Sequence, residues 1–481
     1  MSIDPSTRAP QLITYADRLA GDIAGVEAFV DGPVAGAFGG VHLLPFFVPI
    51  DGADAGFDPV DHTEVDPRIG TWDDVRRLAD EHVVMADLIV NHISARSAEF
   101  QDWLARGDES PFASLFLTPE HVFGHAPQLD EVGTIYRPRP TSPFTTFEFA
   151  DGSSRDVWTT FTDQQVDIDV EHELGWRYLT GILDRFHDAG VGIVRLDAVG
   201  YAIKRAGTSC FMLPETFDFI DRLGQACHER DMEVLVEIHG HHLDQIAIAE
   251  RVDLVYDFAL PPLVLDALTT GDARALKRWI AIRPSNAVNV LDTHDGIGII
   301  DVGVDARDPN RGGLLDPDRI HDLVEGIHER SDGTSRAATG AAASNLDLYQ
   351  VNCTFYDALG RSDARYLAAR TIQLVLPGFP QIYYVGLLAG SNDMDLLAAT
   401  GVGRDVNRHR YSPSELADSL QRPVVRRLVE LLRWRAAEPA FEGSFQLIDS
   451  PDHQLVVRWS TSASTIEVTI DLRGAEVTFG T

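Results

Sequence analysis

The chain has 481 residues, 44% of them hydrophobic and 24% charged, enough to build a sizeable core and to exclude disorder as the main state. Asp and Glu number 74 against 40 Lys and Arg, a net charge of −34, which disfavours a general nucleic-acid binder and a partner of anionic membranes. Such a length fits one large barrel with appendages, or two to three smaller domains.

The N-terminal text MSIDPSTRAPQLITYADRL has no basic stretch leading into an apolar run, so no signal peptide is expected. Eight short, nearly continuous apolar runs then follow. They are QLITYAD (11–17), GVHLLPF (40–46), VVMADLIVNH (83–92), VGIVRLDAV (191–199), EVLVEIH (233–239), LVYDFALP (254–261), NAVNVLDTH (286–294) and QIYYVGL (381–387). Runs of this kind read as parallel strands buried on both faces. Amphipathic segments separate them. TWDDVRRLADEH (71–82) predicts a helix capped by Thr71, with acids in its first turn. GWRYLTGILDRFHDAG (175–190) predicts one that stops at Gly190. Eight strands alternating with helices predict a (β/α)8 TIM barrel, an α/β fold; a doubly wound open sheet is the alternative, without a G-x-G-x-x-G after the first strand to support it.

Two gaps in the alternation are too long for ordinary loops. The expected organisation is a catalytic barrel over 1–90, 172–296 and 360–440, a first insertion (domain B) over 91–171, a second (B′) over 297–359, and a small antiparallel β domain over 441–481. The last helix, PVVRRLVELLRWRA (423–436), puts Val424, Val425, Leu428, Leu431 and Leu432 on one face. The uncharged stretch LVLPGFPQIYYVGLLAGSN (374–392) is broken by Pro377, Gly378 and Pro380, and reads as a helix end, a turn and a buried strand rather than a membrane span. Cys210, Cys227 and Cys353 form no CxxC pair; this argues against a disulfide framework and a zinc site, and suits a reducing cytoplasm. Only two of the 40 basic residues are lysines, Lys204 and Lys277.

Four strand ends carry polar groups where a barrel core is apolar: Asn91 and His92; Arg195 and Asp197; Glu237 and His239; Asp292, His294 and Asp295. Each alone fits a capping or salt-bridging role. Recurrence at one edge points to catalysis, because barrel enzymes draw their catalytic residues from the ends of several strands, and because converging buried carboxylates are costly to keep for stability alone. Three carboxylates with arginine and histidines suit chemistry at an anomeric carbon. Arg195, two residues before Asp197 and on the same side of its strand, is expected to keep Asp197 ionised as a nucleophile. Glu237, at an apolar strand end, is expected to hold its proton as an acid.

These residues carry a resemblance. VRLDAVGY, VEIH and LDTHDG are similar to motifs of the α-amylase family of glycoside hydrolases. GADAGFDPVDHTEVDPRIGTWDD, IYRPRPTSPF, QQVDID, AGTSCFM, YDFALPP, AASNLDLYQVN, PGFPQIYYVG and GRDVNRH resemble its sucrose phosphorylase branch, in order from about Gln11 to Phe441. The resemblance implies Asp197 as nucleophile, Glu237 as general acid/base and Asp295 as transition-state stabiliser. It implies that Asp54, His92, Arg195, His294 and Arg404 hold the glucosyl unit, with Phe57 and Phe161 as an apolar platform and Gln165 nearby. Tyr136, Pro138 and Arg139 in the first insertion, and Leu346, Asp347, Tyr349 and Gln350 in the second, fall on the acceptor side; Tyr201, His239 and Phe211 line the pocket or its entrance. The implied substrates and products are sucrose, phosphate, glucose 1-phosphate and fructose, with no cofactor, no metal and no calcium loop, in a cytoplasmic homodimer. A phosphorylase needs local arginine to bring phosphate into an acidic protein, and YRPRP offers Arg137 and Arg139 on a proline-stiffened loop. The alternatives are a phosphorylase for glucosylglycerol, glucosylglycerate or sucrose 6′-phosphate, a hydrolase or transglucosidase, and a catalytically dead sugar-binding relative.

Overall fold

A computed structural model describes residues 9–52, 54–137, 141–305, 308, 310–341 and 350–480. Eight strands close into a parallel barrel: β1 (Gln11–Thr14), β2 (Gly40–Leu43), β3 (Val83–Ile89), β4 (Ile193–Asp197), β5 (Glu233–Val236), β6 (Leu254–Asp257), β7 (Ala287–Asn289) and β8 (Phe379–Tyr383). Neighbours in the barrel are neighbours in sequence, with β8 returning to β1. All eight expected runs form strands, but the polar tails of several leave the ladder. VRLDAV stops pairing at Asp197, VEIH at Val236 and NVLDTH at Asn289. A polar side chain just past the last rung is thereby freed from the packed interior.

Local chemistry accounts for the helices between the strands. In α1 (Trp72–Glu81), Thr71 is the N-cap and forms a reciprocal capping box with Asp74. The helix α2 (Glu173–Asp188) ends ahead of Gly190, whose φ of +75° is the left-handed geometry that favours glycine. After β4 and its turn, α3 (Pro214–His228) opens with proline in its first turn. Before β8 runs α4 (Asp363–Val375), capped by Ser362, whose hydroxyl accepts from the Arg365 N–H. The uncharged stretch around 374–392 is the end of α4, then β8 and a short helix, Tyr384–Leu387; among the described residues no helix is long and apolar enough to cross a membrane.

Two compact units divide the chain. One comprises residues 22–24 and 43–238 and supplies β3, β4 and β5. Within it, the segment after β3 adds a ladder pairing His92–Ser94 with Gln165–Asp167 and a hairpin of Phe144–Glu148 with Ser154–Trp158. Trp103 stacks on Phe116 in its core, at 5.2 Å between ring centroids.

The other unit comprises 1–21, 25–42 and 239–481. Its α5 (Pro423–Ala437) buries Val424, Val425, Leu428, Leu431 and Leu432, each worth about 1.5–3 kcal/mol when fully withdrawn from water. After α5 an antiparallel sheet forms from β9 (Ser444–Ile448), β10 (Gln454–Ser460), β11 (Thr465–Asp471) and β12 (Glu476–Gly480). The alternating texts SFQLIDS, HQLVVRWST and TIEVTIDL read as three of these strands. The fourth, EVTFG, is mostly exposed, with Val477 and Phe479 alternating with polar residues. Two polar anchors hold the sheet in this unit: Trp459 Nε1 donates to the Val375 carbonyl at 2.7 Å, and Lys277 Nζ to the Ser450 carbonyl at 2.7 Å.

Candidate active site

In the β3–β5 unit, parallel register sets the first cluster. Arg195 pairs with Asp87 of β3 and with Leu235 of β5, and Leu196 pairs with Val236. Asp197 and Glu237 are the next residues on adjacent strands, so their side chains leave the same edge. Arg195 joins all three acids: its Nη1 donates to Asp87 Oδ1 at 2.6 Å and to Asp197 Oδ1 at 2.8 Å, and its Nη2 lies 3.3 Å from Glu237 Oε1. Arg195 and Asp87 are buried, while the carboxyls of Asp197 and Glu237 keep 13% and 15% of their exposure, the accessibility a reacting group needs. Just beyond Asp197, Ala198 has φ +55°, a left-handed turn that costs a non-glycine residue on the order of 1 kcal/mol. Its N–H points at Glu237 Oε2, 3.5 Å away.

Burial pushes the Asp197 carboxyl well above the usual range; Arg195 pulls it down, while Glu237 and Asp87 raise it further. One guanidinium faces three carboxylates, so its charge is divided among them. Arg195 does act on Asp197 in the expected direction, but burial and the two neighbouring acids outweigh it. Asp87 was missed by sequence reading. The available signal was an acid inside an otherwise apolar strand, VVMADLIV.

The aromatic residues beside this cluster form one patch. The Arg195 guanidinium lies 5.6 Å from the Phe57 ring centre. His92 Nε2 donates to the Phe57 carbonyl at 2.9 Å, and its ring meets Phe161 edge-on at 5.3 Å. Burial, only partly offset by Asp167, holds His92 below the usual histidine range, so the imidazole is neutral at physiological pH. Gln165 is buried and donates to the Phe57 carbonyl at 3.4 Å. Tyr201 packs on Phe161 at 5.1 Å and on Phe211 at 4.7 Å, and Tyr136 on Phe211 at 4.6 Å. The backbone N–H of Asp54 donates to Asp58 Oδ1 at 3.2 Å, and its carboxylate acts electrostatically on His92. Arg137 is exposed and donates to the Thr141 carbonyl.

Beneath the patch lies a buried ammonium. Lys204 Nζ sits 2.8 Å from Asp167 Oδ2, 3.0 Å from Asn91 Oδ1 and 3.2 Å from Thr160 Oγ1, and also donates to the Tyr201 carbonyl. One of the two lysines thus ties the β3 end, the ladder of His92–Ser94 with Gln165–Asp167 and the turn after Asp197 together. Its spacing from Asp197 carried no recognisable signal in the sequence.

The other unit holds the remaining candidates. Asp295 lies beyond β7, its Oδ1 on Arg404 Nη1 at 2.5 Å and its Oδ2 3.6 Å from His294 Nε2. Burial alone would raise this carboxyl, but His294, Arg404 and Arg408 outweigh it and hold Asp295 well below the usual range, a fixed anion. His239 stacks on Phe258 at 3.8 Å, and its two ring nitrogens face Asp301 Oδ2 and Gln350 Nε2, each at 3.2 Å. Pro138, Arg139, Leu346, Asp347 and Tyr349 lie outside the described residues.

Residues 16–275 match the family profile "Alpha amylase, catalytic domain". The chain is 56% identical over 469 residues to a sucrose phosphorylase of Agrobacterium vitis, covering 97% of this chain and 96% of the relative. It is 51% identical over 462 residues to a sucrose phosphorylase of Bifidobacterium adolescentis, covering 96% and 92%. The chain belongs to the sucrose phosphorylase branch of the α-amylase family. Among solved structures, sucrose 6F-phosphate phosphorylase from Thermoanaerobacter thermosaccharolyticum is 36% identical, with a TM-score of 0.92 over 100% of this chain and 96% of that one. Membership gives the strand-end polar residues a shared chemical context: family motifs fall on the two clusters that burial and charge single out independently, Arg195 with its three acids and Asp295 with its cations.

Proposed function

We propose that this enzyme is a retaining sucrose phosphorylase, converting sucrose and phosphate to α-D-glucose 1-phosphate and D-fructose. The observation that carries the reading is the in-register pair Asp197 and Glu237 sharing Arg195. Adjacent strands run about 4.8 Å apart, close to the ~5–5.5 Å between carboxyls of retaining glycoside hydrolases. We assign the acid role to Glu237 and the nucleophile role to Asp197, because Asp197 holds the shorter bond to Arg195. Glu237 then protonates the fructosyl oxygen while Asp197 attacks C1 of the glucosyl unit, and fructose leaves. Phosphate attacks C1 of the β-glucosyl-enzyme and gives a proton to Glu237, and the bond to Asp197 breaks with a second inversion. The permanently ionised Asp295 opposes positive charge developing on the ring. His92, His294, Arg404, Asp54 and Gln165 are assigned to the glucosyl hydroxyls, Phe57 and Phe161 to its apolar face. Tyr136, Arg139, Tyr201, His239, Leu346, Asp347, Tyr349 and Gln350 are assigned to the acceptor. Aromatic cover suits an intermediate that must meet phosphate before water.

Identity to sucrose phosphorylases above 50% supports sucrose over related glucosides; a glucosylglycerol phosphorylase of Marinobacter adhaerens is 40% identical. We take segments 91–171 and 297–359 to be the insertions that carry the acceptor residues. Free, buried Cys210, Cys227 and Cys353 support a cytoplasmic location, and the family resemblance supports a homodimer, which a sedimentation measurement checks. Product analysis with sucrose, with and without phosphate, tests the reaction. Glucose 1-phosphate and fructose in equal amounts support it; glucose and fructose without glucose 1-phosphate at saturating phosphate assign a hydrolase instead.

A further inference from the structure

Asp295 is presented by the segment Asp292–Asp295, and that segment is gripped along its backbone. Asn407 Nδ2 donates to the Thr293 carbonyl at 2.7 Å, and Arg408 Nε to the His294 carbonyl at 2.9 Å. Its first residue is gripped differently. Asp292 Oδ2 is 2.5 Å from Arg370 Nη2, with the two side chains 3% and 0% exposed. Arg370 sits on α4 between Tyr366 and Gln373, and the i, i+4, i+7 spacing puts all three on one face. Arg370 Nη2 and Nε donate to the Tyr366 hydroxyl at 2.7 and 3.1 Å, and Nη1 to Gln373 Oε1 at 2.9 Å. Tyr366 donates onward to the Gly386 carbonyl; Gln373 Nε2 donates to the carbonyls of Asn289 in β7 and Gln381 in β8, at 2.8 and 2.7 Å. Gly386 closes the packing: a Cβ there would stand 2.0 Å from Asp292 Oδ2 and 2.1 Å from Arg370 Nη2.

As a stabilising device this arrangement is poor. A fully buried ion pair is no better for stability than apolar side chains of the same volume. Asp292 Oδ1 is also buried, with no hydrogen-bond partner among the described residues. What an ion pair supplies and an apolar contact does not is direction: a guanidinium held by Tyr366 and Gln373 fixes the carboxylate it faces, and with it the chain that follows. We infer that Arg370 and Asp292, with Tyr366 as brace and Gly386 as the space that admits them, are positioning residues that hold the segment presenting Asp295. The inference rests on the proposed role of Asp295 as transition-state stabiliser.

Kinetics of Asp292→Asn, Arg370→Lys and Tyr366→Phe test it, each assayed with sucrose and phosphate and with α-glucosyl fluoride. A displacement of about 1 Å at a reacting group lowers rate on the order of a hundredfold. Asp292→Asn is expected to lower kcat by about 10–100-fold with KM within about threefold, and α-glucosyl fluoride, which needs no general acid, is expected not to restore the rate. In an Asp295→Asn background the same substitution is expected to lower the remaining rate less than about threefold, because the group it positions is already disabled. Wild-type kcat with the whole loss confined to melting temperature overturns the inference, as does full additivity with Asp295→Asn. Where Asp292→Asn does not fold, Arg370→Lys and Tyr366→Phe give the same readouts with the buried charges kept. A wild-type enzyme that yields no glucose 1-phosphate from sucrose defeats the functional reading alone, since transfer from α-glucosyl fluoride still measures positioning.

Discussion

Replacing Asp87 with Asn removes one of three negative charges around Arg195 while keeping the side chain's shape. Both Asp87 and Asp197 accept from the same Nη1, at 2.6 and 2.8 Å. Their charges therefore lie within about 5 Å of each other, and at an effective dielectric of about 20 they repel by ~3 kcal/mol, equivalent to about two pH units. Asp87 raises Asp197, so its loss lowers the pH at which Asp197 releases its proton. The acidic limb of the kcat/KM profile of the free enzyme, where Asp197 must ionise to act as nucleophile, is then expected to move to lower pH by about one to two units. Arg195 keeps Asp197 as a counter-ion, so the fold is expected to survive with a penalty of about 1–3 kcal/mol. The assay is initial-rate phosphorolysis at low sucrose across the pH range, beside a melting curve. A folded Asp87→Asn enzyme whose acidic limb stays within about 0.3 units of wild type refutes the claim that Asp87 raises Asp197.

Asp197 and Asp295 are expected to respond to neutralisation with opposite signs. Burial raises Asp197 in the folded state, so its ionisation opposes folding as pH climbs above the unfolded value; Asp197→Asn should abolish turnover and raise the melting temperature at neutral pH. Asp295 is lowered, so it stabilises above the unfolded carboxylate value and loses that contribution only in strong acid; Asp295→Asn should lower the neutral-pH stability by about 2 kcal/mol, read by chemical denaturation. Lys204→Met leaves Asp167 buried without its cation and should destabilise by about 3–5 kcal/mol in the same measurement, against a near-neutral result if the ammonium is only a space filler. Arg139→Ala should slow phosphorolysis more than cleavage of sucrose to the glucosyl-enzyme, separated by single-turnover release of fructose; equal losses assign Arg139 to the scaffold.

The strand ends were the readable part of the candidate site. Arg195, Asp197, Glu237, His294 and Asp295 announce themselves because each breaks an apolar run, and a break in a two- or four-residue pattern is visible in one dimension. Asp87 and Arg370 hide for the opposite reason. Each looks like an ordinary interruption of a strand or helix, and its meaning comes from a partner that is distant along the chain, Arg195 in one case and Asp292 in the other.

The order of the elements, the eight buried strands, the capping of α1 by Thr71 and the place of the candidate carboxylates belong to the sequence, because hydrophobic periodicity and cap chemistry act over a few residues. The charge states belong to the tertiary structure. The sequence alone placed Asp197 beside Arg195; folding surrounds that arginine with two further acids and removes water, so that Asp197 is pushed up while Asp295, among His294, Arg404 and Arg408, is held down as an anion. Desolvation and Coulomb energy depend on what surrounds a group in space, and chain order does not carry that information.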